Sequence, residues 1–311
     1  MKIAVLILAH KNKGQLERLI SVMQHSLVDI YIHLDKKSSL SPADFSHLDV
    51  RFTKKRFDVY PFTFSMVEAE MELINTAKKH GEYGYYIILS GQCYPLRHID
   101  DICDYLCQSY PKPFIEVISP KIVKKFAAQF SYSYALKKFR NAYLPFINKH
   151  FPASDIIPYR YIPAIIVRTA TIIKSVFVKS PQKCLKKMGI EPYFGPQWWI
   201  LPDVVIDDIS TLFENKKFCD CMKNCYCCDE TFFQTAIMIH AEKFGIILNE
   251  KGYYSNKKWF TIFSKGHPIV LTQENFEQLM CSGMLFGRKF DSDIDAKILD
   301  MIDEQNLRMR K

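Results

Sequence analysis

The stretch Ile3-Ala4-Val5-Leu6-Ile7-Leu8-Ala9-His10-Lys11-Asn12, with Ile30-Tyr31-Ile32-His33-Leu34-Asp35 some twenty residues on, decides the fold class. Residues 3–9 are apolar without interruption, as in a parallel strand covered on both faces. The run breaks at His10-Lys11-Asn12. A helix then opens at Gly14, with Leu16, Leu19, Ile20 and Met23 on one face. Residues 30–34 read as the next strand, which ends on Asp35. Two successive strands that finish on polar side chains make a crevice at the carboxyl edge of a sheet. Open α/β sheets bind ligands there. The expectation is half of a nucleotide site.

Working outward, residues 50–59 read as a strand or strand-loop, and 65–79 as a helix. Ser65 is its expected N-cap, with Glu68 at capping-box spacing. Residues 85–89 are a buried strand that runs into Ser90-Gly91-Gln92-Cys93-Tyr94-Pro95-Leu96, a loop of turn formers. A helix over 99–107 and a strand over 114–118 follow. Such alternation predicts an α/β domain with a mostly parallel sheet flanked by helices. It pauses over residues 121–190 and resumes at Gly195-Pro196-Gln197-Trp198-Trp199-Ile200-Leu201. Asp229 is expected to cap a helix from Glu230 to about Lys243. Residues 246–248 read as a late strand and 266–311 as short closing helices. The whole, 1–311, is expected to be a single domain with 121–190 inserted.

With 48% hydrophobic residues the chain has enough apolar side chains for a large core, and nothing points to global disorder. The N-terminus has no small-residue cleavage site, so a cytoplasmic location is expected. No apolar run reaches the roughly 18 residues of a membrane span. The nearest, 161–178, is interrupted by Arg168 and Lys174 and fits at most a membrane surface. Ten cysteines without an export signal are expected to stay reduced. Cys219, Cys221, Cys225, Cys227 and Cys228 crowd together. They lack the second, separated Cys-x2-Cys pair of a zinc site, so unligated thiols are expected.

The net charge of +9 is unevenly spread. Residues 121–190 hold fourteen Lys/Arg against the single acid Asp155, with eleven Phe/Tyr among them. Such a segment suits an anionic partner: a phospholipid surface, a phosphate-bearing substrate or nucleic acid. A solvated basic face over packed aromatics is the plainer reading.

Several side chains are candidates for chemistry. Asp35, with His10 on the neighbouring strand end, can accept hydrogen bonds from a uracil or ribose edge; a simple strand-end cap is the alternative. Glu230, in Cys228-Asp229-Glu230, is a candidate general base, although acids in a first helical turn are common for structural reasons. Arg288 and Lys289, with Lys265 and His267 upstream, form a basic island suited to a leaving diphosphate. Of the adjacent Trp198 and Trp199, one is expected in the core while the other stacks on a sugar or base. An Asp-x-Asp after the central strand, a GxGxxG and a phosphate-binding P-loop are all missing from the sequence.

In order, these islands resemble the core-2/I-branching β-1,6-N-acetylglucosaminyltransferases, a family that includes the peptide O-xylosyltransferases and many bacterial members. The resemblance is carried by Ile7-Leu8-Ala9-His10-Lys11-Asn12 with Gln15-Leu16-Glu17-Arg18-Leu19-Ile20, then Ile32-His33-Leu34-Asp35-Lys36-Lys37, Phe64-Ser65-Met66-Val67-Glu68-Ala69-Glu70 and Leu89-Ser90-Gly91-Gln92-Cys93-Tyr94-Pro95-Leu96. Phe114-Ile115-Glu116, Gln197-Trp198-Trp199, Asp229-Glu230 with Phe233-Gln234-Thr235, and Leu285-Phe286-Gly287-Arg288-Lys289-Phe290-Asp291 complete it.

It implies a GT-A type fold, a UDP-sugar donor and an inverting transfer with neither metal nor other cofactor. It implies nucleotide contacts from His10, Asp35, Ser65, Arg288, Lys289 and either Lys265 or His267. Glu230 becomes the expected base; Gln92, Cys93, Trp198, Trp199 and Asp229 become the expected sugar or acceptor contacts. Two departures stand out: Cys93 replaces the family's usual acid, and Tyr60-Pro61-Phe62-Thr63 replaces a Trp-Gly-Gly-like turn. The implied reaction moves N-acetylglucosamine or xylose to a glycan hydroxyl, in surface polysaccharide assembly. The acceptor is expected to be lipid-linked and met by 121–190 at the inner membrane face. A metal-dependent nucleotidyltransferase and a non-catalytic basic nucleic-acid or membrane module are the rival readings.

Overall fold

A computed structural model describes residues 1–122, 181–223, 225, 227–264 and 267–309. The inserted basic segment lies largely outside the described residues, as does Lys265. In chain order the strands are β1 (Ile3–Ala9), β2 (Val28–Leu34), β3 (Arg51–Phe52), β4 (Tyr85–Ser90), β5 (Cys93–Pro95) and β6 (Glu116–Ile118). They continue with β7 (Ile200–Pro202), β8 (Tyr253–Ser255), β9 (Trp259–Phe260), β10 (Phe263–Ser264), β11 (His267–Pro268) and β12 (Phe286–Arg288). The helices are α1 (Lys13–Val22), α2 (Phe64–Lys78), α3 (Ile99–Ser109), α4 (Pro181–Lys186), α5 (Asp203–Glu214), α6 (Lys216–Met222), α7 (Phe232–Ile239), α8 (Phe276–Cys281) and α9 (Lys297–Arg308).

The main sheet has the order β3-β2-β1-β4-β7, parallel except for β7. The unbroken apolar run of β1 is explained by its two faces. Ile3, Val5, Ile7 and Ala9 pack with α1 in one core layer, and Ala4, Leu6 and Leu8 pack with α2 in the other. Both layers exclude water from the strand, so neither face tolerates a polar side chain. The result is a mixed α/β fold with a parallel-rich central sheet flanked by helices.

Register fixes the business end. Ala9 pairs with Leu34 on one side, and Leu8 pairs with Ser90 on the other. The Asp35 N–H then donates to the Ala9 carbonyl (2.9 Å), and the Gly91 N–H to the Leu8 carbonyl (3.0 Å). His10, Asp35 and Ser90 therefore leave three adjacent strands at one edge. The small sheet β5-β12-β9 delivers Arg288 there, because β12 runs antiparallel to β5 with Arg288 opposite Cys93.

Four sequence expectations are corrected. The α2 helix starts after Thr63, not Ser65. The Ser65 hydroxyl instead takes the Tyr60 N–H (3.0 Å) and pairs with the Thr63 hydroxyl (2.7 Å), which closes the 60–63 turn. Asp229 caps no helix: residues Cys228–Glu230 form a 3-10 turn, and α7 begins only at Phe232 after Thr231. Residues 246–248 form no strand; Ile246 is buried while Ile247 is 82% exposed. Cys184 and Cys221 form a disulfide, because α4 packs on α6 and brings their Cα atoms to 5.6 Å across 37 residues of sequence. Cys219, Cys225, Cys227 and Cys228 are buried and form no disulfide. Among the described residues no helix is long and apolar enough to cross a membrane.

Candidate active site

The strand ends open into a cleft of about 380 Å³. His10, His33, Asp35, Ser90, Gln92, Gln197, Trp198, Asp229, Glu230, His267 and Arg288 all line it. Residues up to 278 positions apart in sequence thus share one cavity.

The side expected to meet a nucleotide is built at the end of β2. The Arg56 guanidinium donates to the carbonyls of Leu34 (3.0 Å), Asp35 (2.6 Å) and Ser38 (3.1 Å), which pins the chain as it leaves the strand. His33 is buried and accepts the Phe57 N–H at Nε2 (2.9 Å); burial pushes its pKa down to about 4, so it is a neutral strut for the 53–57 segment. Asp35 accepts the Lys37 N–H (2.8 Å) and meets the Lys37 ammonium at 3.1 Å. That ammonium also reaches Asp58 and lies 4.4 Å from the Tyr60 ring centre. The Asp35 carboxylate is therefore oriented by a neighbour that solvent and ligand can both reach.

The cationic side is carried by Arg288. Its guanidinium lies 4.2 Å from the Trp198 ring centre and donates to the Ser90 hydroxyl (2.6 Å). Stacking plus a hydrogen bond fixes the planar fork over the cleft. Lys289 does not line the cleft; it stands at the rim near His10, Lys11 and Asp291. Partial burial, then the charges of Arg288 and Lys11, hold the Lys289 pKa below its ordinary value. Burial, then Lys11, does the same to His10. A rim where cations repel one another is a ready site for an anion.

The acidic side is the 228–230 turn. Cys227 adopts a left-handed conformation (φ 53°) and its N–H donates to the carbonyl of Phe62, also left-handed (φ 67°). Non-glycine residues in this region carry strain that is common at functional sites. Gly195 closes the far side: its N–H donates to the Glu230 carbonyl (3.0 Å), and an added Cβ would lie 2.0 Å from the Glu116 carbonyl oxygen. No other residue lets the chain pass there. Burial raises the Glu230 pKa, while the Cys227 thiol and Arg288 oppose the rise. Asp229 is buried beside it, and its pKa is pushed up to about 7 by burial and then by the Glu230 charge. An acid tuned upward and half-open to the cleft can take a proton from a bound hydroxyl near neutral pH.

Three predicted contacts fall elsewhere. Trp199 is fully buried and packs on Phe233, with ring centres 4.9 Å apart, because adjacent residues face opposite ways and only Trp198 faces the cleft. Cys93 is fully buried, its sulfur accepting the Ser90 N–H (3.4 Å), so β5 turns it inward. Ser65 serves the turn described above.

Two organising residues were not singled out as site residues from the sequence. Gln15 is buried and donates to the carbonyls of Gly91 (2.9 Å) and Phe290 (3.2 Å). Glu70, on α2, is fully buried and accepts from Gln197 (2.6 Å). Both stand in runs that carry the family resemblance, but a run marks no single side chain; a polar residue on an otherwise apolar helix face was the further signal.

A family model described as Core-2/I-Branching enzyme matches residues 3–269. The match covers every cleft residue named above except Arg288, which lies beyond it along with Lys289. No functionally curated protein matches the chain. The chain belongs to the Core-2/I-Branching enzyme family, and that membership implies a glycosyltransferase acting between a sugar donor and a carbohydrate acceptor.

Proposed function

We propose that this chain is an inverting glycosyltransferase that uses a UDP-sugar and needs no metal. The observation that carries the reading is the convergence of Asp35, Arg288 and Glu230 on one cleft. Asp35 accepts hydrogen bonds from the uridine. Arg288, with Lys289 and His267 at the rim, faces the diphosphate. Glu230 takes the proton of the acceptor hydroxyl as its oxygen attacks the anomeric carbon. The bond from that carbon to the diphosphate oxygen breaks, and UDP departs with the electron pair. A fixed cation at that developing charge is worth roughly 3 kcal/mol of barrier. N-acetylglucosamine or xylose is the proposed sugar. A glycan hydroxyl in surface polysaccharide assembly is the proposed acceptor, lipid-linked and approached through the basic 121–190 segment.

Thermal shift with UDP-N-acetylglucosamine and UDP-xylose tests the reading. A rise in Tm with one of them, equal with and without EDTA, is expected. A rise that depends on added manganese, or one retained in full by Asp35→Asn, overturns it.

A further inference from the structure

Glu70 sits in the middle of α2, fully buried, beneath the cleft floor. A carboxyl group in such a place needs a reason, since burying it costs several kcal/mol unless it is paired or neutral. Its Oε1 accepts from the Gln197 side-chain amide at 2.6 Å. The Trp199 indole N–H is the other donor close by, short of hydrogen-bond geometry, and Oε2 has no hydrogen-bond partner among the described residues. Gln197 in turn lines the cleft. A glutamine amide carries its donor and acceptor on opposite arms of one plane. Nε2 spends one of its two N–H donors on Glu70, which fixes the amide plane and leaves on its other arm the carbonyl oxygen, to which no described residue donates.

The position of that oxygen matters. Trp198, the next residue, carries Arg288 on its ring, and Arg288 reaches Ser90 at the end of β4. Asp229 and Glu230 form the acidic side of the same cleft. Gln197 stands in the chain between Gly195, whose N–H bonds the Glu230 carbonyl, and Trp198, which carries Arg288, so it lines the cleft between the base and the cationic side. A sugar that joins a diphosphate to an attacking hydroxyl must occupy that same interval.

Taking the cleft as the UDP-sugar site proposed above, we infer that Glu70 is a positioning residue. It locks the Gln197 amide so that its carbonyl oxygen accepts a hydrogen bond from a hydroxyl or amide N–H of the donor sugar ring. Glu70 never touches the substrate; it chooses which end of Gln197 does. A neutral hydrogen bond of this kind is worth about tenfold in affinity.

The test is calorimetric titration with UDP and with UDP-N-acetylglucosamine and UDP-xylose, read as the Kd of each UDP-sugar relative to that of UDP. Gln197→Leu and Glu70→Met are each expected to worsen that ratio about tenfold for the accepted donor, while the Kd for UDP itself stays within twofold. The double variant is expected to be no worse than either single, because both remove one contact. Glu70→Gln, which keeps a carbonyl for Nε2, is expected to stay within threefold of the native ratio.

An unchanged ratio in Gln197→Leu, or losses that multiply in the double variant, overturns the inference. If Glu70→Met does not fold, Glu70→Asp, which withdraws the carboxyl by one methylene, replaces it, and an unaltered ratio there counts against the role. Failure of the native chain to bind UDP at all would sink the donor reading instead, so the two failures are distinct.

Discussion

The side-chain oxygen of Gln15 accepts the backbone N–H of Ser292 at 2.7 Å, across 277 residues of sequence. The same amide donates to the carbonyls of Gly91 and Phe290, so one buried side chain ties together the loops after β4 and β12. Asn12 adds a bond to the Ser292 hydroxyl (2.9 Å), and Lys11 pairs with Asp291 (2.7 Å). This clamp holds Arg288 and Lys289 against the strand ends. Gln15→Leu would leave the Gly91 carbonyl and the Ser292 N–H unpaired, and the Phe290 carbonyl with only the longer bond from the Gln92 amide (3.4 Å). We expect a loss of about 2–3 kcal/mol, or roughly 5 °C in Tm, with weakened UDP binding. Calorimetry and titration with UDP check both. A variant that loses neither shows that the clamp is dispensable.

Glu230→Gln keeps the shape of the side chain and removes the base. Sugar transfer is expected to fall at least about a hundredfold while the Kd for UDP stays within a factor of about two. Transfer at the native rate would remove Glu230 from the mechanism.

Arg288→Met keeps contact with Trp198 and discards the charge. UDP affinity should fall about tenfold or more and uridine affinity should not change, since in the proposed site only the phosphates meet the guanidinium. Arg288 also opposes the rise of the Glu230 pKa. The acid limb of the pH–rate profile should therefore move to higher pH in this variant. A profile that stays put would mean that the two side chains do not feel each other during turnover.

Asp229 makes stability depend on pH. In the folded chain it titrates near 7, whereas an unfolded aspartate titrates near 4. Between those values the folded state keeps a proton that the unfolded state has lost. Stability therefore falls as pH rises from about 4 to about 7 and levels off above, by roughly 4 kcal/mol for this group. Asp229→Asn should flatten that part of the slope and be more stable than the native chain at pH 8. Denaturant titrations at a series of pH values measure it; equal slopes in the two proteins would contradict the assignment.

The apolar run of β1, the polar residues at the ends of β1 and β2, and the order of the islands were legible from the sequence alone. They sufficed for the α/β class and the family, and they singled out Asp35, Asp229, Glu230, His267 and Arg288, which share the cleft, whereas Lys257 in the cleft was missed and Lys289 stands outside it. They sufficed because strand burial on two faces and a polar exit at the carboxyl edge are local patterns, written in consecutive residues. Tertiary structure alone decided which side chain of each island faces the cleft. Trp198 faces the cleft while Trp199 packs in the core, and Cys93 and Ser65 turn away into backbone duties. It also decided that Gln15 and Glu70 organise the site, and that Cys184 meets Cys221. Those outcomes depend on partners dozens to hundreds of residues away. A hydrogen bond or disulfide between distant segments exists only once packing has fixed both ends, and no local periodicity records it.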